Sequence, residues 1–341
     1  MKRYGYLFDK IISIENLKLA DEKARKGKGN NYGIRLHDKN REENILKLHE
    51  ALKSGSFHTS EYTTFKIYEP KERDIYRLPY YPDRIVHHAI MNIMEPIWTK
   101  IFTADTCSCI KGRGLKGAYK RTKRYLNDVE GTKYCLKIDI KKFYPSINHD
   151  KLKEIIRKKI KDNKLLNLLD EIIESADGVP IGNYLSQYFA NLFLGYFDHY
   201  VKEKLKVKYY VRYADDMIFL ASTKEELINI LDKIKNYIGC LKLRLKGNEQ
   251  IFPVGHNNKD KKARGIDFVG YVFYHNQILL RKSIKKSFAG KCVYMSKLDC
   301  LSIRVYKMGL SSWWGWIRYC NAKFLARSYI RKDVLENLMC A

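Results

Sequence analysis

Residues 209–220 read Tyr-Tyr-Val-Arg-Tyr-Ala-Asp-Asp-Met-Ile-Phe-Leu, two apolar, β-rich runs that meet at Tyr213-Ala214-Asp215-Asp216. Aromatic and β-branched residues on both sides of a short polar junction predict a β-hairpin. Two adjacent acids in the tight turn of a hydrophobic hairpin are costly unless a cation sits there. An isolated Asp-Asp pair is also compatible with a solvated turn, because Asp favours turns. A third acid weighs against the solvated turn. Asp139 closes another strand-like run, Tyr134 to Ile140, in which Tyr134, Leu136, Ile138 and Ile140 alternate with Cys135, Lys137 and Asp139. Two hydrophobic strands that each carry Asp at a tip can pair side by side and bring their carboxylates to one point. A hard divalent cation such as Mg²⁺ relieves the resulting repulsion. Two such ions about 4 Å apart suit an in-line phosphoryl displacement, activating the attacking hydroxyl and stabilising the leaving oxygen.

The charge of the chain points to the same chemistry. Its 341 residues carry 65 Lys+Arg against 38 Asp+Glu, a net charge of +27, which excludes a neutral fold that avoids polyanions. A hydrophobic fraction of 45% and an aromatic fraction of 13% sustain a core, so the charge sits on a folded body of two or three compact units. The longest uncharged stretch, Gly178 to Phe197, has the length of a membrane span. It contains Pro180, Gly182, Asn183, Ser186, Gln187 and Asn191, which predict a buried loop-helix element instead. The N-terminal MKRYGYLFDK has no apolar core and no cleavage site, so a cytoplasmic protein with no membrane partner is expected. The eight cysteines are scattered, with Cys107 and Cys109 the one close pair, which predicts reduced thiols in a core.

Working outward, residues 1 to about 60 read as basic helices with a turn at Ala24 to Gly29. Thr63 to Tyr68 and Asp74 to Leu78 read as paired strands. An amphipathic helix begins near Asp83, with Ile85, Val86, Ala89, Ile90, Ile93, Met94 and Ile97 on its stripe. Lys151 to Ile173 reads as one long basic helix, and Ser222-Thr223-Lys224-Glu225 as a capping box opening another helix. This order predicts an α+β fold with an antiparallel sheet and helices on one face.

The hairpin Tyr213-Ala214-Asp215-Asp216, with Lys137-Ile138-Asp139-Ile140-Lys141-Lys142-Phe143-Tyr144 upstream, resembles the paired catalytic motifs of reverse transcriptases. The resemblance runs in order over roughly residues 65 to 330. Arg77-Leu78-Pro79 with Pro82-Asp83-Arg84-Ile85-Val86 is similar to the first fingers motif. Gly265-Ile266-Asp267-Phe268-Val269-Gly270-Tyr271 resembles the primer-grip strand, and Trp313-Trp314-Gly315-Trp316 with Tyr319 to Ala322 resembles the thumb. It implies a right-hand polymerase with an N-terminal extension over 1–60, fingers over 61–133, a palm over 134–273 in which part of 150–185 packs with the fingers, and a helical thumb over 274–341.

The resemblance further implies an RNA-directed DNA polymerase using two Mg²⁺ ions, with Mn²⁺ as a substitute, and dNTPs. Asp139, Asp215 and Asp216 would ligate the metals together with the backbone carbonyl of Ile140. Tyr144 falls where the family places the bulky side chain that excludes a ribonucleotide 2′-hydroxyl; an ordinary core tyrosine is the alternative. Arg73, with Lys71 as its understudy, lies on the hairpin where the family holds the triphosphate; spacing leaves Lys66 and Arg77 open as well, and a solvated basic face would read the same way. Lys246 lies where polymerases keep a general acid for the departing pyrophosphate. Phe268, Gly270 and Tyr271 would form the primer grip.

Residues 178–187 depart from the common pattern. Most reverse transcriptases carry Gln-Gly-x-x-x-Ser-Pro here, whereas this chain has Ile181 for the Gln, keeps Gly182, and has Gln187 for the Pro. That form resembles the reverse transcriptases of diversity-generating retroelements, as does the N-terminal run Met1 to Gly5 with Ile11 to Leu17. Those enzymes copy a template-repeat RNA into adenine-mutagenised cDNA. The implied partners are that RNA, a cDNA or primer duplex, and a small basic, homo-oligomeric accessory variability protein, in a bacterial or phage-encoded system. Physically, Ile181 keeps bulk but loses a donor and an acceptor, and one lost hydrogen bond of about 0.5–1.5 kcal/mol lowers discrimination about 2- to 12-fold. A retron-like or phage-defence reverse transcriptase shares the aspartates, and a non-catalytic RNA-binding scaffold shares the charge.

Overall fold

The computed structural model describes residues 3–68, 72–297, 303–330 and 335. In chain order, helices α1 (Phe8–Ile12), α2 (Ile14–Arg25), α3 (Tyr32–Asp38) and α4 (Arg41–Ser54) come first. Ser13 caps α2 by accepting from the Asn16 N–H, and Asn31 caps α3 by accepting from the Gly33 N–H. Strands β1 (Thr63–Ile67) and β2 (Arg73–Arg77) pair antiparallel, Thr63 opposite Arg77 and Ile67 opposite Arg73. Helix α5 (Ile85–Trp98) buries Ile85, Val86, Ala89, Ile90 and Met94 along the expected stripe. There follow α6 (Gly114–Tyr125), β3 (Tyr134–Asp139), α7 (His149–Arg157), α8 (Asn163–Glu174), α9 (Tyr184–Phe193) and α10 (Gly195–His199). Next come β4 (Tyr209–Tyr213), β5 (Asp216–Ala221), α11 (Lys224–Cys240) and β6 (Gln250–Pro253). The chain continues with β7 (Ile266–Phe268), β8 (Tyr271–Phe273), β9 (Ile278–Leu280), α12 (Lys282–Ser296), α13 (Ile303–Ile317) and α14 (Lys323–Tyr329).

The expected single helix over Lys151 to Ile173 is two helices. Tyr4 pairs with Ile160 in a parallel bridge, its N–H donating to Lys159 O at 2.7 Å and its carbonyl accepting from Lys161 N at 2.8 Å. Asp162 then caps α8, accepting from Leu165 N, and its other oxygen takes the N–H groups of Leu7 and Phe8 at 2.6 and 3.0 Å. A basic stretch with helical periodicity is thus broken by a partner 155 residues away. The cap of α11 is Thr223, which accepts from Glu226 N at 3.2 Å, one residue later than the expected capping box.

The chain divides into two compact units. One comprises Met1–Arg113, Asp139–Val207 and Lys233–Gly247, and the other Gly114–Ile138, Lys208–Asp232 and Asn248–Ala341. The first has a helical core around Leu17, Ile85, Val86, Leu152, Leu169, Phe193 and Phe197, all buried, with the β1–β2 hairpin as its sheet. The second is built on a four-stranded sheet in the order β4-β5-β3-β6 and a three-stranded antiparallel sheet β7-β8-β9. Its core includes Tyr210, Phe219, Phe268, Phe273, Phe288 and Leu310. Among the described residues no helix is long and apolar enough to cross a membrane. The described cysteines form no disulfide, and burial pushes the Cys292 thiol up to about 11 and that of Cys320 to about 12. Cys300 and Cys340 lie outside the described residues.

Candidate active site

Within the second unit, β4 and β5 form the hairpin expected from residues 209–220, closed by the pair Tyr213 and Asp216. Ala214 and Asp215 make its two-residue turn, and Ala214 takes a φ of 56°. A non-glycine residue in that region is strained by about 1–2 kcal/mol, and such strain concentrates at functional sites. Beneath the turn lies Arg212, fully buried, whose guanidinium donates to the Ala214 carbonyl at 3.2 Å. Arg212 was not among the residues expected at the site, although a lone cation inside Tyr-Tyr-Val-Arg-Tyr is the signal for it. Asp216, first residue of β5, is half-buried. Lys137 on β3, the neighbouring strand, holds its Nζ 3.6 Å from Asp216 Oδ1 and also donates to the Asp267 carbonyl.

Asp139 ends β3 and belongs to the first unit. From here the chain pairs with residues 244–246. Lys246 N donates to Asp139 O at 3.0 Å, Lys141 N donates to Arg244 O at 2.9 Å, and Ile140 stands opposite Leu245. In this register the ladder bonds use Asp139 and Lys141, so the Ile140 carbonyl faces the other edge. The Lys246 ammonium reaches Asp139 Oδ2 at 3.0 Å. A general acid candidate and a metal-ligand candidate are therefore in direct contact.

Tyr144 opens a short 3₁₀ turn a few residues on and is half-buried, its carbonyl accepting from Val179 N at 2.9 Å. That bond brings in residues 178–183. Gly178, at φ +62°, sits so close to Pro145 that a Cβ would lie 2.6 Å from its carbonyl oxygen. The Ile181 carbonyl accepts from Tyr76 N on β2 at 2.8 Å. Gly182, at φ +123°, packs on Tyr76 so tightly that a Cβ would lie 2.3 Å from the Tyr76 oxygen. Asn183 donates to the Tyr62 hydroxyl at 2.9 Å, which in turn meets Ser175 Oγ at 2.8 Å. The altered motif is thus tied at backbone level to the β1–β2 hairpin on one side and to the turn after Asp139 on the other. Ile181 is half-buried and Gln187 is exposed on α9.

Arg73 is exposed on β2, and Lys66 on β1 is paired with Glu72 at 2.6 Å. Lys71 lies outside the described residues. The primer-grip reading is corrected in form. Residues 265–271 are not one strand but a β7–β8 hairpin whose turn, Val269 and Gly270, has φ values of 43° and 85°. Phe268 and Tyr271 are buried, the Tyr271 hydroxyl donating to Trp316 O at 3.1 Å. A Cβ at Gly270 would lie 2.5 Å from the Trp316 ring. Phe268 and Tyr271 thus pack inside the hairpin, and Gly270 lies in its turn.

Among the described residues no cluster of three or more His, Cys, Asp or Glu side chains could hold a metal ion by itself. Each candidate carboxylate, taken by itself, is a hard oxygen donor of the kind that Mg²⁺ takes. Two of the three candidate carboxylates, Asp139 and Asp216, each have a lysine ammonium against an oxygen. Mg²⁺ keeps several waters and is bound through one or two carboxylates plus substrate phosphates, so a closed cage of protein ligands is not what it requires.

Residues 69–273 match the family described as reverse transcriptase (RNA-dependent DNA polymerase). The chain is 24% identical over 285 residues to protein YkfC of Escherichia coli K12, covering 69% of this chain and 71% of that one. It is 26% identical over 181 residues to the group II intron-encoded protein LtrA of Lactococcus lactis subsp. cremoris, covering 49% of this chain and 30% of LtrA. Among solved structures, telomerase of Candida tropicalis in complex with a TWJ fragment of telomeric RNA is similar at a TM-score of 0.51 and 15% identity. That match covers 87% of this chain and 55% of the telomerase chain. The same telomerase without ligand gives 0.50 at 12% identity, covering 82% and 60%. The chain thus spans less than two thirds of LtrA and of the telomerase chains. The likeness to telomerase concerns the fold, a right-hand polymerase arrangement of helices and antiparallel sheets.

Proposed function

The chain belongs to the reverse transcriptase (RNA-dependent DNA polymerase) family, and on that premise we propose that it copies a template-repeat RNA into adenine-mutagenised cDNA in a diversity-generating retroelement. The observation that carries the finer reading is the setting of Ile181. Its carbonyl is bonded to Tyr76 N, and the glycine that follows is wedged against the same residue. The backbone at 181 is therefore held in one place, and its half-buried side chain would offer a nucleotide bulk without a donor or an acceptor.

Asp139, Asp215 and Asp216 would hold Mg²⁺ or Mn²⁺ with the Ile140 carbonyl. When bound, the ions supply Lewis acidity to the primer 3′-hydroxyl and charge neutralisation to the departing pyrophosphate. Arg212 supports the turn that presents Asp215 by holding the Ala214 carbonyl. Lys246, which now donates to Asp139 at 3.0 Å, would give a proton to the leaving phosphate oxygen. Tyr144 would stand against the sugar and exclude a 2′-hydroxyl, and Arg73 would contact the triphosphate from β2. In this reading residues 61–133 act as fingers, 134–273 as palm and 274–341 as thumb, and a small basic accessory protein is the partner.

The test is primer extension by the purified chain with Mg²⁺, dNTPs and an RNA template, with the accessory protein added, followed by sequencing of the cDNA. The expected result is an excess of errors opposite template adenines, reduced about 2- to 12-fold overall in Ile181→Gln. Accurate copying at adenines would reject the retroelement reading and leave an intron-type or retron-like reverse transcriptase.

A further inference from the structure

Tyr184, the first residue of α9, follows the Ile181 segment and lies in the first unit with α2 and α5. Its ring is stacked on that of His88, centroids 4.5 Å apart and planes at 24°. Tyr184 is 36% exposed, and His88 is half-buried. Three cations bear on the His88 imidazole, and one of them, Lys23, is tied to α5 through Asn92. Lys23 on α2 and Lys28 in the turn after it are exposed, and Arg84 immediately before α5 is half-buried. Among the described residues none of the three forms an ion pair; Lys23 donates instead to the neutral Asn92 Oδ1 at 2.7 Å.

The cations act on one another and on the imidazole. Burial, then the charges of Lys28, Arg84 and Lys23, push His88 down to about 4, so its ring is neutral at physiological pH. Burial and the nearby Arg77 lower the pKa of Arg84. Glu95 bears on Tyr184 and accepts from the Tyr188 hydroxyl at 2.8 Å. A half-buried guanidinium with a second guanidinium near it and no carboxylate partner is an unfavourable arrangement until an anion arrives. The Tyr184 ring, stacked on neutral His88 and edge-to-face with Tyr188 at 6.2 Å, keeps part of its aromatic surface exposed. A ligand that satisfies both must carry flat bases and phosphates together. Bases of a duplex are already stacked on each other, so the ligand is single-stranded.

We propose that the His88–Tyr184 stack, with Lys23, Lys28 and Arg84, binds single-stranded nucleic acid, and that in the reaction proposed above it holds the template RNA not yet copied. The identity of the strand as template rests on that reading; the binding chemistry does not. Tyr184 supplies the stacking surface, Lys23 and Lys28 the phosphate contacts at the rim, and Arg84 the less hydrated contact beside His88.

The experiment measures affinity by fluorescence anisotropy without dNTPs, so polymerisation does not enter. Two labelled RNA–DNA duplexes are compared, one blunt and one with a 5′ RNA overhang on the order of ten nucleotides. The full chain should bind the overhang more tightly. Tyr184→Leu should weaken overhang binding about tenfold while leaving the blunt duplex unchanged, and Tyr184→Phe should bind like the parent. The exposed pair Lys23→Gln with Lys28→Gln should keep the fold and reduce the slope of log affinity against log salt by about 0.7 per lysine, on the overhang only. Equal effects on both duplexes, or none on either, would overturn the platform. A chain that shows the overhang dependence but adds no nucleotide keeps the platform and rejects the polymerase reading.

Discussion

Replacing Gly182 by alanine tests whether the altered motif is positioned through its backbone. At φ +123° an L residue is strained by about 1–3 kcal/mol on conformation alone. The new Cβ would also stand 2.3 Å from the Tyr76 oxygen, and that oxygen belongs to β2, which is held in register by β1. The strand cannot swing aside, so the loop must lift, and the 2.8 Å bond from Tyr76 N to the Ile181 carbonyl is lost at about 0.5–1.5 kcal/mol. Together these give about 1.5–4.5 kcal/mol. Because Ile181 moves with the bond, the same change should raise KM for dNTP. Thermal unfolding and steady-state single-nucleotide incorporation read the two effects. Gly239 provides the control: it lies inside α11, and a methyl group there would meet nothing within 4 Å, so Gly239→Ala should stabilise by about 0.5–1 kcal/mol. A Gly182→Ala protein with parental melting temperature and parental KM would refute the backbone tie as the device that places Ile181.

Asp215→Asn should lower primer extension by on the order of a hundredfold or more without unfolding the chain, since the carboxylate is proposed to act on charge that develops in the reaction; circular dichroism beside the extension assay checks both. Asp83 is buried, with Oδ1 accepting from Ser60 N at 3.0 Å and Oδ2 without a partner, and burial raises its pKa over the opposing effect of Ser60. Its folded value thus exceeds its unfolded one, so its contribution is fully present below the ordinary carboxylate range and lost as pH rises through the raised value. Asp83→Asn should flatten that loss, and urea midpoints measured from acid to neutral pH that stay parallel to the parent's would exclude it. Thr223→Ala should cost about 1 kcal/mol through the lost cap on Glu226 N, seen as a lower urea midpoint.

Much of this molecule is legible in its sequence because local pattern and tertiary demand agree. The β4–β5 hairpin, the α5 stripe and the turn after α2 follow from alternation, helical spacing and glycine content. The break between α7 and α8 was hidden because its cause is remote: Tyr4, Leu7 and Phe8 compete for main-chain and Asp162 groups that a helix would otherwise use. The hairpin of residues 265–271 was hidden because Val269 adopts a φ that its residue type disfavours, held there by packing around Gly270. At the candidate site the acids were readable from their cost in apolar strands. Arg212, the lysines on Asp139 and Asp216, and the His88–Tyr184 stack depend on tertiary placement, the last three through pairings across long sequence separations.

The parallel bridge between Tyr4 and Ile160 also sets an order of events during synthesis. The first residues of the chain leave the ribosome long before their partners exist, since Leu7 waits for Asp162, 155 residues later. At about 5–20 residues per second that wait is on the order of 10–30 seconds. The N-terminal segment must therefore remain undocked through that interval. Closing so long a loop makes this contact a late one in folding.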